Sequence, residues 1–219
     1  MVDKYRDPLL TPRETARHLR IPESTMYYWL SEQAAGAPLV HRVEPVKRGR
    51  PSVPFVAVIE AYVLRTLRAD LGLKKSTVRE AAEAIRREFD TAYGLATKRI
   101  VTDGIDIFIE HAGHELARAA DGQRPIREMI EGDLRYISWD ANDDSPSRLR
   151  LRQYSNVAPV IIDPRFAWGA PVIESNRVPV EAVVDLWRAG ESIQTVADEY
   201  GLTHEQAEAI CRTATEPAA

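Results

Sequence analysis

Apolar positions recur every three or four residues at both ends of this chain, and the middle alternates apolar with polar. At the N-terminal end Ala16 and Leu19 share one helical face, Ile21 marks a corner, and Met26, Trp29 and Leu30 resume the helical period. Thr11 precedes Pro12 and stands three residues before Glu14, a capping box with proline at the first helical position. The spacing predicts two short helices meeting at a tight turn, with Leu10, Ala16, Leu19, Ile21, Met26 and Trp29 as their shared core. Leu39 to Val43 reads as a short strand and Lys47-Arg48-Gly49-Arg50-Pro51 as a loop, together a wing. Phe55, Val58, Ile59, Tyr62, Val63 and Leu67 predict a long helix ending near Leu71-Gly72. Val78, Ala82, Ile85 and Phe89 predict the next.

Around residue 98 the period shortens. Arg99 to Thr102 and Ile105 to Ile109 flank Asp103-Gly104, a dipeptide suited to a two-residue hairpin. Leu134 to Trp139 and Arg148 to Gln153 alternate as half-buried strands, separated by the polar loop 140–147, while Arg127 to Gly132 reads as a helical turn and His114 to Ala120 fits helix or strand. Toward the C-terminus the helical period returns in three short runs. Val180, Val183, Val184 and Trp187 close at Gly190; Ile193, Val196, Ala197 and Tyr200 close at Gly201; and a second capping box, Thr203 with Gln206, opens a helix carrying Ala207 and Ile210. The expected class is α+β, mainly α. It comprises an N-terminal winged helix-turn-helix with following helices (residues 1–94), a small central antiparallel sheet (95–160) and a C-terminal three-helix helix-turn-helix unit (161–219).

Composition adds two constraints. The chain has 219 residues, 44% of them hydrophobic and 28% charged, and a net charge of −4. No leader-like apolar run follows the first charged residues, and no stretch reaches the length of a bilayer span, so a cytoplasmic protein without membrane attachment is expected. The single cysteine, Cys211, excludes an intrachain disulfide and a multi-thiolate zinc site, and reads as a small apolar residue of the last helix.

The overall negative charge argues against nucleic acid, yet its distribution is uneven. Residues 1–100 hold 18 Lys+Arg against 12 Asp+Glu, whereas residues 101–219 hold 11 against 21. Two halves of opposite sign imply different partners. In the basic half, Ser24, Thr25, Tyr27 and Tyr28 lie on the face of the second helix that Met26 and Trp29 leave open. Their hydroxyls and rings suit phosphates, base edges and thymine methyls. That helix has no Arg or Lys. The cations surround it instead, at Arg13, Arg17 and Arg20 on the first helix and at Arg42, Lys47, Arg48 and Arg50 in the wing. Such placement anchors phosphates and gives salt-sensitive affinity, with Arg50 best placed for a minor-groove or backbone contact.

LLTPRETARHLRIPESTMYYWL resembles the opening of MerR-type winged helix-turn-helix regulators, matching at Thr11, Glu14, Ala16, Leu19, Ile21, Ser24, Thr25, Met26 and Trp29. It departs at Pro22, where that family has a serine cap, and at Tyr27, where it has a basic residue. The segment GAPVIESNRVPVEAVVDLWRAGESIQTVADEYGLTHEQAEAI resembles a small helix-turn-helix domain of toxin-antitoxin antitoxins, at Gly169, Pro171, Arg177, Pro179, Gly190, Ser192, Tyr200 and Thr203 among others. It departs at Ser175-Asn176, where that family carries Gly-Thr. The combination resembles VapB-type antitoxins, and the resemblance implies a PIN-domain ribonuclease toxin and operator DNA as partners. Glu205 and Glu208 on the last helix repel phosphate, and residues 156–219 hold four Arg against ten Asp+Glu. An acidic surface of that kind suits a basic RNA-binding cleft. Phe166, Trp168, Arg177, Glu205 and Glu208 are therefore the expected toxin-facing residues, with Arg177 also reading as an internal organiser of its loop.

No catalysis, cofactor or metal is expected. His111 and His114 share a helical spacing with Glu115 adjacent, but the order differs from that of zinc proteases and Gly113 weakens a helix there, so surface or core histidines are the simpler reading. A single short reading helix offers little area for operator binding, so a homodimer on paired half-sites is expected, with the Phe55 to Leu67 helix as its seam. The alternative is a MerR-like transcription regulator whose C-terminal half senses a ligand or oligomerises.

Overall fold

A computed structural model describes residues 2–32, 36–70, 72–119 and 126–216. The chain divides into two compact units, Asp3–Ser147 and a second made of Arg148–Ala219 with Met1–Val2.

The larger unit is helical. The Thr11 capping box forms as read: the Thr11 hydroxyl accepts from the Glu14 amide at 3.2 Å and the Glu14 carboxylate accepts from the Thr11 amide at 2.8 Å, starting α1 (Pro12–Leu19). Arg20 ends the helix in the left-handed conformation, φ 52°. The chain then turns through Ile21 and Pro22 into α2 (Glu23–Leu30), whose N-cap Pro22 contributes no side-chain bond. Leu10, Ala16, Leu19, Ile21, Met26 and Trp29 are all buried, the core predicted from their spacing.

The wing is looser than its sequence suggests. Leu39 to Val43 is not a strand; the Leu39 and Val40 amides donate to the Trp29 carbonyl, and the Val43 amide bond to the Ser52 carbonyl (2.8 Å) and the Leu10–Val53 bridge close the loop.

Next comes α3 (Phe55–Arg65), continued by a π-helical turn over Thr66–Asp70. Leu71, the expected helix end, lies outside the described residues. Every residue from Phe55 to Leu64 is buried. The expected dimer seam on this helix is thereby corrected: apart from Glu60 the run is free of charge, and a helix apolar on all sides becomes the centre of its own unit. After it come α4 (Lys75–Glu88), two 3-10 turns (Gly94–Ala96 and Lys98–Val101), α5 (Asp103–Ala119) and α6 (Ile126–Leu134). The Tyr62 hydroxyl donates to the Asp133 carbonyl at 2.9 Å, tying α3 to α6.

The predicted hairpin at Asp103-Gly104 is instead the start of α5. Ile105, Phe108 and Ala112 are buried at helical spacing, while Ile107 and Ile109, which made the run look alternating, are only half-buried. Gly104 serves packing rather than a turn, since a Cβ there would lie 2.7 Å from the Ile100 side chain. The expected helical turn at 127–132 falls within α6.

The strands are β1 (Ile137–Trp139), β2 (Pro146–Arg150), β3 (Val160–Ile162) and β4 (Val172–Ile173), in the order β1-β2-β3-β4. Antiparallel registers place Leu149 opposite Ile162 and Val160 opposite Ile173.

In the smaller unit three helices follow β4. They are α7 (Val180–Arg188), α8 (Ile193–Tyr200) and α9 (His204–Thr215), each packed on the other two. Gly190 (φ 104°) and Gly201 (φ 61°) adopt the left-handed backbone their positions require, and Thr203 with Gln206 forms the second capping box. Val183, Val196, Ala197, Ala207, Ile210 and Cys211 fill the centre.

Candidate functional site

The open face of α2 carries the residues its spacing assigned to it. Ser24 and Tyr27 are exposed, Tyr27 by 50%, and Thr25 and Tyr28 are half-buried. Arg13 on α1 reaches Glu23 at 3.1 Å and Arg42 lies 3.9 Å from Glu44, so each of these cations is partly compensated. Arg17, Lys47, Arg48 and Arg50 are exposed and make no ion pair with any described residue. At the wing tip Val46 is fully exposed, and the Arg50 amide donates to the Lys47 carbonyl at 3.0 Å, turning the cations outward on one short loop.

Two cations beside α2 escaped the sequence reading. Arg68, in the π-helical turn, donates to the Thr25 hydroxyl at 3.4 Å, and the Lys75 ammonium sits 4.7 Å above the Tyr28 ring. One signal for them was present. Lys74 and Lys75 open α4, whose first turn has no acidic residue, although a helix N-terminus repels cations. A charge placed against the helix dipole calls for a reason beyond local stability.

A buried ionic cluster holds the base of the wing. Glu60, on α3 and wholly inaccessible, accepts from the His41 amide at 2.8 Å and pairs with His41 Nδ1 at 2.8 Å and Arg86 Nη2 at 3.3 Å. Arg86 also donates to the Pro38 and Leu39 carbonyls at 3.1 and 2.6 Å. The Tyr93 ring packs 4.4 Å from His41, and Tyr5 meets Tyr93 edge-on at 4.9 Å. Segment 38–41, from which the wing departs, is thus fixed to α3 and α4. On α1, burial and the neighbouring Arg17 charge push His18 down to about 4 against the opposing pull of Glu14, so His18 is neutral at physiological pH.

The smaller unit presents a different surface. Asp163, fully buried, accepts from the Arg165 amide at 3.0 Å and from its guanidinium at 2.6 and 3.0 Å. Burial pushes the Asp163 carboxyl upward, but the Arg165 bonds and the Arg165 and Arg177 charges outweigh it and hold it below the ordinary carboxylate range. From this anchor the chain passes through Ala167, Trp168 and Gly169 at φ 46°, 52° and 80°. Left-handed backbone at two successive non-glycine residues carries strain of order 1–3 kcal/mol each. Its result is that Trp168 stands 82% exposed. Phe166 lies between guanidiniums, with Arg177 4.8 Å and Arg165 5.5 Å from its ring. Arg177 also donates to the Glu174 carbonyl, which makes it the organiser its position suggested. Phe166 and Arg177 are therefore in contact, with Trp168 two residues further on and exposed; Glu205 and Glu208 are exposed on α9 and join no described contact with them.

His111 is exposed and its Nδ1 lies 2.9 Å from the Ile107 carbonyl. The His114 and Glu115 side chains, like Ala120, lie outside the described residues.

Fold and surfaces together define a DNA-binding helix-turn-helix protein that carries a second, acidic helical unit. A family model described as "Putative DNA-binding HTH domain" matches residues 8–81, and one described as "Protein of unknown function (DUF433)" matches residues 160–212. "Putative antitoxin VapB45" of Mycobacterium tuberculosis (strain ATCC 25618 / H37Rv) is 32% identical over 221 residues, covering 91% of this chain and 90% of that protein. The crystal structure of Rv2018 from Mycobacterium tuberculosis superposes with a TM-score of 0.79 at 30% identity, covering 98% of this chain and 100% of that one. The chain belongs to the VapB-type antitoxin family. Among the described residues no helix is long and apolar enough to cross a membrane.

Proposed function

We propose that the protein works as a two-ended antitoxin: the α1–α2 unit and wing bind the operator of its own operon, and the smaller unit binds and inhibits a PIN-domain ribonuclease. The observation that carries the reading is Trp168, a large apolar side chain held out of the fold by strained backbone in an acidic unit. An exposed aromatic held by its own backbone, two residues along the chain from a half-buried ring, has the composition of an interface anchor. The exposed carboxylates of the same unit, Glu205 and Glu208 on α9 among them, complement a cleft built to hold RNA phosphates.

On the DNA side, Ser24, Thr25, Tyr27 and Tyr28 face the groove, and Arg13, Arg17, Arg42, Lys47, Arg48 and Arg50, joined by Arg68 and Lys75, hold the backbone. An eight-residue reading helix covers few base pairs, so two copies bind paired half-sites, through a surface other than α3. Both partners place the protein in the cytoplasm, and neither role requires catalysis or a cofactor.

Co-expression with the product of the adjacent reading frame tests this. The expected result is a co-purifying complex in which cleavage of an RNA substrate is suppressed and then restored when the antitoxin is degraded. No complex with any adjacent nuclease, together with intact DNA binding, would favour the ligand-sensing regulator.

A further inference from the structure

The wing tip carries chemistry that phosphate contacts do not need. Residues 46–50 are all exposed, so nothing in the described fold covers Val46, Lys47, Arg48, Gly49 or Arg50. The Arg50 amide donates to the Lys47 carbonyl at 3.0 Å, and Gly49 at φ 83° completes the turn, with an arginine before it and another after it. A Cβ on Gly49 would meet no atom within 4 Å, so this glycine makes no room inside the protein; it leaves the turn bare between two guanidiniums. Both feet of the loop are clamped. Glu60 and Arg86 hold segment 38–41, the Val43 amide donates to the Ser52 carbonyl at 2.8 Å, and the Ser52 amide donates to the Leu10 carbonyl at 3.0 Å. Pro51 fixes the backbone angle where the chain leaves the tip. By contrast α2 has eight residues and no Arg or Lys, a thin basis for choosing one DNA sequence over another.

We infer that the wing tip enters the DNA minor groove and selects A·T-rich sequence there, with Arg48 and Arg50 reaching the base edges on the groove floor across the bare Gly49. The inference rests on the operator-binding reading and moves these two cations from phosphates to bases; Arg13, Arg17, Arg42 and Lys47 keep the backbone. The minor groove is about 6 Å wide, so a backbone turn fits best where its centre carries no side chain. A·T pairs present only acceptors there, adenine N3 and thymine O2, which suit a guanidinium that only donates. A G·C pair adds the guanine amino group, a donor that meets the guanidinium donors head on. A·T tracts also narrow the groove and deepen its negative potential. Arginine fits this place better than lysine, because a guanidinium is more weakly hydrated than an ammonium. Val46, fully exposed, gives the tip an apolar side for the sugar walls of the groove.

The full chain, as wild type and as Arg48→Lys/Arg50→Lys, is titrated by fluorescence anisotropy with duplexes of equal length whose central tract is A·T, inosine·cytosine or G·C. Inosine lacks the guanine amino group, so an inosine·cytosine pair resembles A·T in the minor groove and G·C in the major groove. The wild type is expected to bind the A·T and inosine·cytosine duplexes alike and the G·C duplex about tenfold more weakly. The lysine pair keeps both charges and with them the salt slope, but its preference shrinks to about twofold or less. Equal affinity of the wild type for all three duplexes overturns the minor-groove assignment and leaves the operator-binding reading standing. Inosine·cytosine bound as weakly as G·C, which puts the preference in the major groove, overturns it too, as does a preference that the lysine pair retains in full. No binding to any duplex removes the operator-binding reading and this inference with it.

Discussion

Glu60→Ala is the most informative single change in the larger unit. It removes a carboxylate that is fully buried and serves three donors: the His41 amide, His41 Nδ1 and Arg86 Nη2. Arg86 keeps its bonds to the Pro38 and Leu39 carbonyls but loses its counter-charge with its side chain only 15% exposed. Breaking a buried pair from one side costs about 3–5 kcal/mol, most of it the penalty of the charge left behind. For a protein of this size the melting temperature falls by about 10 °C or more. The double variant Glu60→Met/Arg86→Met removes both charges and replaces them with apolar volume, so it recovers most of the loss. Denaturant and thermal melts followed by far-ultraviolet circular dichroism measure both. A loss below about 1 kcal/mol for Glu60→Ala, or a double variant as unstable as the two single changes added together, would refute the view that this cluster holds the base of the wing.

Replacing Arg48 and Arg50 with Ala removes two exposed cations that stabilise nothing else, so operator affinity falls and the slope of log K against log salt flattens by about two, with the melting temperature unchanged. A fluorescence-anisotropy salt series reads this, and an unchanged slope contradicts the wing contact. His18 supplies an acid-sensitive component of stability. Its folded pKa of about 4 lies below the ordinary imidazole value of 6.5, so the unfolded chain takes up a proton that the folded chain refuses; the contribution is complete above about pH 6.5 and is lost as the pH falls toward 4. The size is at most about 3 kcal/mol, and His18→Gln should show a smaller fall in urea midpoint between pH 7.5 and 4.5 than the wild type. Equal falls would sink the assignment.

Where the sequence was read through local chemistry, it was read well. Both capping boxes, the left-handed glycines at 190 and 201, and the Leu10-to-Trp29 core depend on residues within a few positions of one another. Failures came where burial on several sides decided the outcome. Ile105, Ile107 and Ile109 alternate like a strand, yet Phe108 and Ala112 take the inner face and set a helical period. The Phe55 to Leu67 helix looked like a seam because a helix buried within its unit and one buried by a second copy are equally apolar. The candidate sites divide in the same way. The wing cations and α2 hydroxyls could be found from their own segment, whereas Arg68 and Lys75 reach α2 from residues some 40 positions away, a proximity that only the packed structure reveals. Trp168 was legible as a residue, but not the left-handed turn that exposes it.

The central claim is that DNA and toxin are held by separate ends of one chain. Its most direct measurement is a crossed comparison of two variants, Arg48→Ala/Arg50→Ala and Trp168→Ala, each titrated against operator DNA and against the purified ribonuclease. The wing variant is expected to lose DNA affinity and keep the toxin, whereas Trp168→Ala, the loss of an interface anchor worth about 2 kcal/mol or more, weakens toxin binding about thirtyfold and leaves DNA binding intact. Trp168→Ala binding the toxin as tightly as the wild type, or either variant losing both partners while still folded, would contradict it.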